Sequence, residues 1–196
     1  MNAEIEAKFL DIDKEKIRKL LNKNGARLVH KEILMRRNVF DYPDQRLEKK
    51  GGWIRVRDEG DKITLSYKQL VDRSITGTKE TSLDVSDFDS ATRFLLEIGL
   101  IKDAYQETKR EKWTLDGAEI TLDTWPWIPT FVEIEGDSEN QLKSVSKKLN
   151  FDWSKALHGS VETAYQKYYD VTEAEVDSWQ EITFIPIPDW LKKLKK

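Results

Sequence analysis

Apolar and polar residues alternate with two different periods along this chain. Period two marks strands, because successive side chains in a strand point to opposite faces. Glu4-Ile5-Glu6-Ala7-Lys8 alternates in this way, as do Trp53-Ile54-Arg55-Val56-Arg57, Lys62–Gln69 and Thr78–Val85. Further strands are predicted over 35–41, 105–115, 118–125 and 130–136. The helical period appears in three places. Ile17, Leu20 and Leu21 share a face over Asp13–Asn24, with Asp11 or Asp13 as N-cap and Gly25 as the stop. Phe88, Ala91, Leu95 and Ile98 form a stripe after the capping residue Ser86 or Asp87, and Gly99 ends that helix. Leu142, Val145 and Leu149 do the same over Ser138–Leu149.

Turn residues separate these elements. Asp58-Glu59-Gly60-Asp61 joins two strands as a hairpin, and Asp116-Gly117 makes a tight turn between two more. Leu70–Gly77 reads as a polar loop. Beyond residue 150 the pattern predicts short helices near 153–157, 160–169 and 172–179. An extended run, Ile182–Pro188, and a basic amphipathic end, Asp189–Lys196, complete the chain. With no repeat and no dividing linker, the expected architecture is one α+β domain dominated by an antiparallel sheet.

Composition narrows the chemistry. The 196 residues suffice for a substantial core, and 33 basic against 36 acidic residues leave a net charge of -3, which does not mark a general nucleic-acid binder. Without cysteine there is no thiolate nucleophile or cysteine-based zinc site, and two histidines cannot make a histidine-rich one. A metal would sit on carboxylate oxygens, which favours Mg²⁺ or Mn²⁺. No apolar run reaches the roughly 20 residues of a membrane span, and the first residues carry no signal-peptide pattern, so a cytoplasmic location is expected.

The charged halves of the strands are sorted by sign. Arg55 and Arg57 share a face with Trp53; Thr64, Ser66 and Lys68 share one on the next strand; Arg110, Lys112 and Thr114 share another. Acids dominate elsewhere: Glu4 and Glu6 at the start, then Glu119 and Asp123, then Glu133 and Glu135. A solvated sheet face would carry interchangeable polar residues. Segregation instead suits a cavity that holds an anion at one wall and a cation at another.

Glu4-Ile5-Glu6-Ala7-Lys8 matches the ExExK signature of the CYTH superfamily, the triphosphate tunnel metalloenzymes. The chain resembles that family further through Arg37–Asp41, Trp53–Arg57, Thr64–Lys68, Ile120–Asp123 and Val132–Gly136, covering roughly residues 1–170. The resemblance implies a closed eight-stranded antiparallel β-barrel with helices packed outside; residues 171–196 lie beyond it and are expected as an extension packing on or plugging the barrel. It implies phosphate contacts from Lys8, Arg37, Arg55, Arg57, Lys68 and Arg110. It places the metals, two Mg²⁺ or Mn²⁺ ions, on Glu4, Glu6, Glu133 and Glu135 with Asp123 nearby, and makes Glu4, Glu6, Lys8, Glu133 and Glu135 the catalytic set. Glu80, Lys112 and Glu119 would line the tunnel.

The implied activity is hydrolysis of inorganic tripolyphosphate, thiamine triphosphate or a nucleoside triphosphate, by a monomer or homodimer. The alternatives are a class IV adenylyl cyclase, and a non-catalytic module binding polyphosphate or an RNA 5′-triphosphate. Two departures stand out: Ser160 where relatives often carry a late lysine, and Ser82 within a usually acidic strand. Lys155 and Lys167 lie near the first but cannot be matched to it by spacing. Trp125-Pro126-Trp127 and His158 could reach a ligand, although packing and surface positions explain them equally well.

Overall fold

The computed structural model describes residues 2–196. Its strands are β1 (Asn2–Ala3), β2 (Glu6–Phe9), β3 (Arg27–Asp41), β4 (Gly52–Asp58), β5 (Ile63–Leu70), β6 (Thr78–Val85), β7 (Ile101–Leu115), β8 (Ala118–Thr124), β9 (Phe131–Glu135) and β10 (Glu181–Ile182). The helices are α1 (Lys14–Lys23), α2 (Phe88–Glu97), α3 (Glu139–Lys148), α4 (Glu162–Tyr168), α5 (Glu173–Asp177) and α6 (Asp189–Lys192). The fold is α+β, as expected. Strands β2 to β9 form an antiparallel curled sheet, with the order β1-β6-β5-β4-β3-β7-β8-β9-β2, and β10 adds to β7 in parallel.

The closed barrel implied by the resemblance is corrected to an open sheet, because the first strand is not continuous. Residues 2–3 pair with β6 and residues 6–9 pair with β9, so β1 and β2 are the two ends of the sheet. Glu4 and Ile5 form the crossing between them, with Glu4 N–H donating to Thr78 O at 2.9 Å and Gly136 N–H donating to Ile5 O at 3.1 Å. A segment that divides its backbone bonds between two neighbours cannot run one uninterrupted ladder along either.

Other boundaries shift for physical reasons. β3 begins at Arg27, not near 35, because its first half pairs along the long β7 with register shifts at Leu28/His30 and His30/Ile33. Leu28, Val29 and Leu34 are exposed there, so no buried stripe announces the strand. The stripe on α2 stops early: Phe88 and Leu95 are buried, whereas Ile98, the C-cap, is 55% exposed and Leu100 packs inward in its place. The segment near 153–157 is a single 3₁₀ turn over Trp153–Lys155. The Asp116-Gly117 turn has positive φ at both residues (52° and 79°), which matches the twist of the hairpin it joins.

Two patches cover the apolar side of the sheet, and a third apolar cluster lies on its other face. Ala7, Ile120, Leu122 and Ile134 meet Leu21 of α1 and Leu142 of α3, all fully buried. Val56 and Phe40 meet Phe88 and Leu95 of α2. The third cluster joins Phe131, the register partner of Asp123, and Trp125, which meets Arg37, to Tyr165, Trp179, Ile182 and Leu191, so residues beyond 170 contribute to a core on the charged side. Trp125-Pro126-Trp127 belongs to it: Tyr165 Oη donates to Pro126 O at 2.9 Å, and Tyr169 Oη to Trp127 O at 2.6 Å. With its apolar side covered, the sheet presents its charged side inward along the curl. No helix is long and apolar enough to cross a membrane among the described residues.

Candidate functional site

The concave face gathers the alternating charges. Contacts that skip a strand show its curvature: Arg55 on β4 reaches Glu80 on β6 at 3.4 Å, and Arg110 on β7 reaches Glu133 on β9 at 3.5 Å.

The acidic wall centres on Lys8, which is 4% exposed. Its Nζ donates to Glu6 Oε1 at 2.7 Å and to Gly159 O at 2.6 Å, and lies 3.0 Å from Glu133 Oε2. Burial opposes charge on Lys8, but Glu133 and Glu6 outweigh it and push the ammonium well above the usual lysine range. Burial likewise pushes Glu133 up, yet Lys8 and Arg110 hold it down at about 2. A second group forms around Lys68, whose Nζ lies 2.7 Å from Glu4 Oε2 and 3.1 Å from Glu80 Oε2. Burial raises Glu4 to about 8, helped by the neighbouring Glu80 carboxyl, which is itself lowered.

Glu135 differs from its neighbours. Among the described residues no basic side chain forms an ion pair with it, and burial together with Glu133, Glu119 and Glu6 pushes it up to about 7. It faces Glu6 and Glu119 in register on either side.

The basic wall lies on β3 and β4. Arg37 is buried, its Nη2 donates to Thr108 Oγ1 at 2.6 Å, and its guanidinium lies 4.6 Å from the centre of the Trp125 ring. Arg37 and Arg57 are register partners, and Arg55 is two residues away on the same face. The Nε atoms of Arg37 and Arg55 are buried with no hydrogen-bond partner among the described residues. Burial, then repulsion from Arg57 and Arg55, holds Arg37 well below the usual arginine range. Burial and Arg57 also lower Arg55, to about 10. Arginine does not surrender its proton under ordinary conditions, so this strain calls for an anion.

Arg110 joins the two walls. It forms a fork with Asp123, Nε to Oδ1 at 2.6 Å and Nη2 to Oδ2 at 2.7 Å, while Thr121 Oγ1 donates to Oδ2 at 2.8 Å. Asp123 therefore orients Arg110. Its oxygens are engaged, in contrast to those of Glu135.

A profile of the CYTH domain matches residues 2–170 of the chain. The chain belongs to the CYTH family. No curated protein matches it. Among solved structures it is similar to a conserved hypothetical protein from Pyrococcus furiosus (21% identity, TM-score 0.67, covering 83% of this chain and 99% of that one). It is also similar to a candidate adenylate cyclase from Vibrio parahaemolyticus (14% identity, TM-score 0.72, covering 84% and 98%). A third is a candidate adenylyl cyclase from Hippeastrum described as having a dominant triphosphatase activity (15% identity, TM-score 0.56, covering 93% and 98%). At these identities the structural likeness concerns the fold.

This CYTH domain thus brings together Glu4, Glu6, Lys8, Arg37, Arg55, Arg57, Lys68, Glu80, Arg110, Asp123, Glu133 and Glu135. Lys112 and Glu119 pair with each other toward the rim, where both are more exposed. Among the described residues no three carboxylates already converge as a cation site. Lys155 and Lys167 are exposed, and Ser160 O accepts a bond from Thr163 Oγ1 at 2.8 Å. Ser82 is hydrogen-bonded to Ser66 at 2.8 Å, neutral on neutral, where an acid would have added to the Glu80 group. His158 donates from Nδ1 to Glu6 O at 2.9 Å and so braces the acidic strand.

Sequence reasoning missed three participants. Thr108 shares a face with Arg110 by period two and was recoverable on that ground. Glu59, which accepts from Arg57 Nε at 3.0 Å, stands at the edge of a turn and carries only a turn signal in the sequence. Gly159 acts through its carbonyl, with φ of 92°, and no side-chain pattern marks such a role.

Proposed function

We propose that this CYTH domain binds a linear triphosphate along its concave face and hydrolyses it with the help of a divalent cation. The observation that carries this reading is the pair of buried Nε donors on Arg37 and Arg55, with Arg37 lacking, among the described residues, any carboxylate partner within salt-bridge distance. Buried donors of this kind are costly when unmet, and a phosphate oxygen meets them with paired N–H geometry.

Arg37, Arg55 and Arg57 would take one end of the phosphate chain, and Lys68, Arg110 and Lys8 would neutralise it towards the acidic wall. Arg110 is held ready by Asp123 and so keeps its orientation before the ligand arrives. Most of the acceleration would come from alignment and charge stabilisation, since phosphoryl transfer needs little covalent help from the protein.

Glu4, Glu6, Glu133 and Glu135 would hold the cation. Their oxygen-only chemistry suits Mg²⁺ or Mn²⁺, and Glu135, crowded by acids and without a basic partner among the described residues, fits a missing positive charge. A bound divalent ion supplies charge neutralisation at phosphate oxygens. Residues 171–196 act as part of the same body, through the core around Trp179.

Incubation with tripolyphosphate, thiamine triphosphate and ATP, each with Mg²⁺ or Mn²⁺, tests the reading. Release of orthophosphate supports it. Cyclic AMP with pyrophosphate from ATP would replace hydrolysis by cyclisation, and binding with no product would leave a non-catalytic module.

A further inference from the structure

We propose that Glu59, just beyond the end of β4, is a positioning residue that aims Arg57 at the phosphate chain; the inference rests on the triphosphate-binding reading above. Neighbouring positions in the turn are divided between the two faces of the sheet. Asp58 turns outward and takes Arg36 Nε at 3.1 Å, while Glu59 turns inward and is buried. One oxygen of Glu59, Oε1, accepts three bonds: from Arg57 Nε at 3.0 Å, from Arg57 Nη2 at 2.6 Å and from Thr64 Oγ1 at 3.1 Å. Thr64 is the register partner of Arg57 on β5, so donor, acceptor and brace sit on one hairpin. The backbone fixes that hairpin end, with Glu59 N–H donating to Lys62 O at 2.9 Å.

Arg57 needs such an anchor. Arg37 stands beside it in register and Arg55 lies two residues away on the same face, so three guanidinium groups repel one another. An untethered Arg57 would swing away from the others and from the ligand. Glu59 holds two of its nitrogens, and no protein acceptor takes Nη1 among the described residues. Burial favours a neutral Glu59, but Arg57 outweighs it and holds the carboxyl down at about 2, so the anchor stays charged throughout the neutral range. The acidic wall is built from other carboxylates, around Lys8 and Lys68, which leaves Glu59 to act through Arg57.

The test is calorimetric binding of inorganic tripolyphosphate, without metal, to the wild type, Glu59→Gln, Arg57→Ala, the double variant and Arg37→Ala. Glu59→Gln is expected to weaken binding about ten-fold, the scale of one charge-assisted bond. In the Arg57→Ala background the same change should alter affinity by less than about two-fold, because coupled residues are not additive. In turnover the loss should fall on KM, with kcat kept. Binding by Glu59→Gln as tight as wild type, or an equal loss without Arg57, overturns the proposal. If Glu59→Gln melts early, Glu59→Asp, which keeps the charge and shortens the reach, replaces it with the same expected loss. Unchanged affinity in Arg37→Ala refutes the triphosphate reading itself, whatever Glu59 does.

Discussion

Lys8 and Glu133 face each other in register on β2 and β9, with Nζ 3.0 Å from Oε2 inside the curl of the sheet. Two opposite charges buried at that distance depend on each other. Removing Lys8 leaves Glu133 only the longer contact to Arg110 at 3.5 Å and takes from Glu6 its ion pair at 2.7 Å, which costs more than the pair itself contributes.

Lys8→Met should therefore lower stability by about 3 kcal/mol, the usual scale for breaking a buried pair. Adding Glu133→Gln to it should recover part of that loss. Urea unfolding of the two single variants and the double variant checks this, and independent, additive losses would show that the pair is not coupled.

Arg37 makes the opposite prediction. It is buried beside like charges and has no carboxylate partner within salt-bridge distance among the described residues, so Arg37→Met should keep or raise the melting temperature. Affinity for tripolyphosphate should fall between about ten-fold and a hundred-fold, the range for one or more charged hydrogen bonds. A lower melting temperature with unchanged affinity would make Arg37 a structural residue.

Glu135 and Glu4 set a pH dependence. Their carboxyls are raised in the folded protein from 4.5 to about 7 and about 8. The folded state then holds more protons than the unfolded state between pH 4.5 and these values, so stability falls as pH rises through that window. Melting temperature should decline from about pH 5 to about pH 8 on this account. Glu135→Gln should flatten the decline, and Mg²⁺ or Mn²⁺ at pH 8 should reverse it by binding the ionised carboxylates. A wild-type curve that rises over this range, or one indifferent to both ions, argues against the acidic wall as a cation site.

Turnover should depend on Glu6. It touches Lys8 and lies beside Glu135, so Glu6→Gln should cut kcat by at least about a hundred-fold, the scale of losing a catalytic electrostatic contact. Metal-free binding of tripolyphosphate should survive, because the basic wall is intact. Near-normal turnover with either ion would remove Glu6 from the catalytic set.

Trp179 tests whether the end of the chain is part of the domain. Its ring meets Tyr165 at 5.2 Å, Trp190 at 5.2 Å and Trp127 at 6.0 Å, all edge-on. Trp179→Ala should cost about 3–5 kcal/mol, as for other large aromatic truncations in a core. A separate, early transition with the main one unchanged would instead mark residues 171–196 as an independent appendage.

The sequence by itself determined which side chains share a face. Period two placed Glu6 with Lys8, Arg55 with Arg57, and Glu133 with Glu135, because strand geometry leaves no other choice within a continuous strand; Glu4, in the break between β1 and β2, is outside that argument. It also offered Asp11 or Asp13 as the cap of α1 and Ser86 or Asp87 as that of α2, and of these Asp13 and Asp87 accept from the third backbone N–H. Only the tertiary structure decided which faces meet. The crossing at Glu4 and Ile5, the pairing of Lys68 with Glu4, the fork of Arg110 with Asp123 and the carbonyl of Gly159 at Lys8 all join residues from different elements. These depend on sheet order and curl, which arise from burying Ile120, Ile134, Val56 and their neighbours against the helices. A local pattern carries no record of that packing, so it shows the charges along each strand and not their partners.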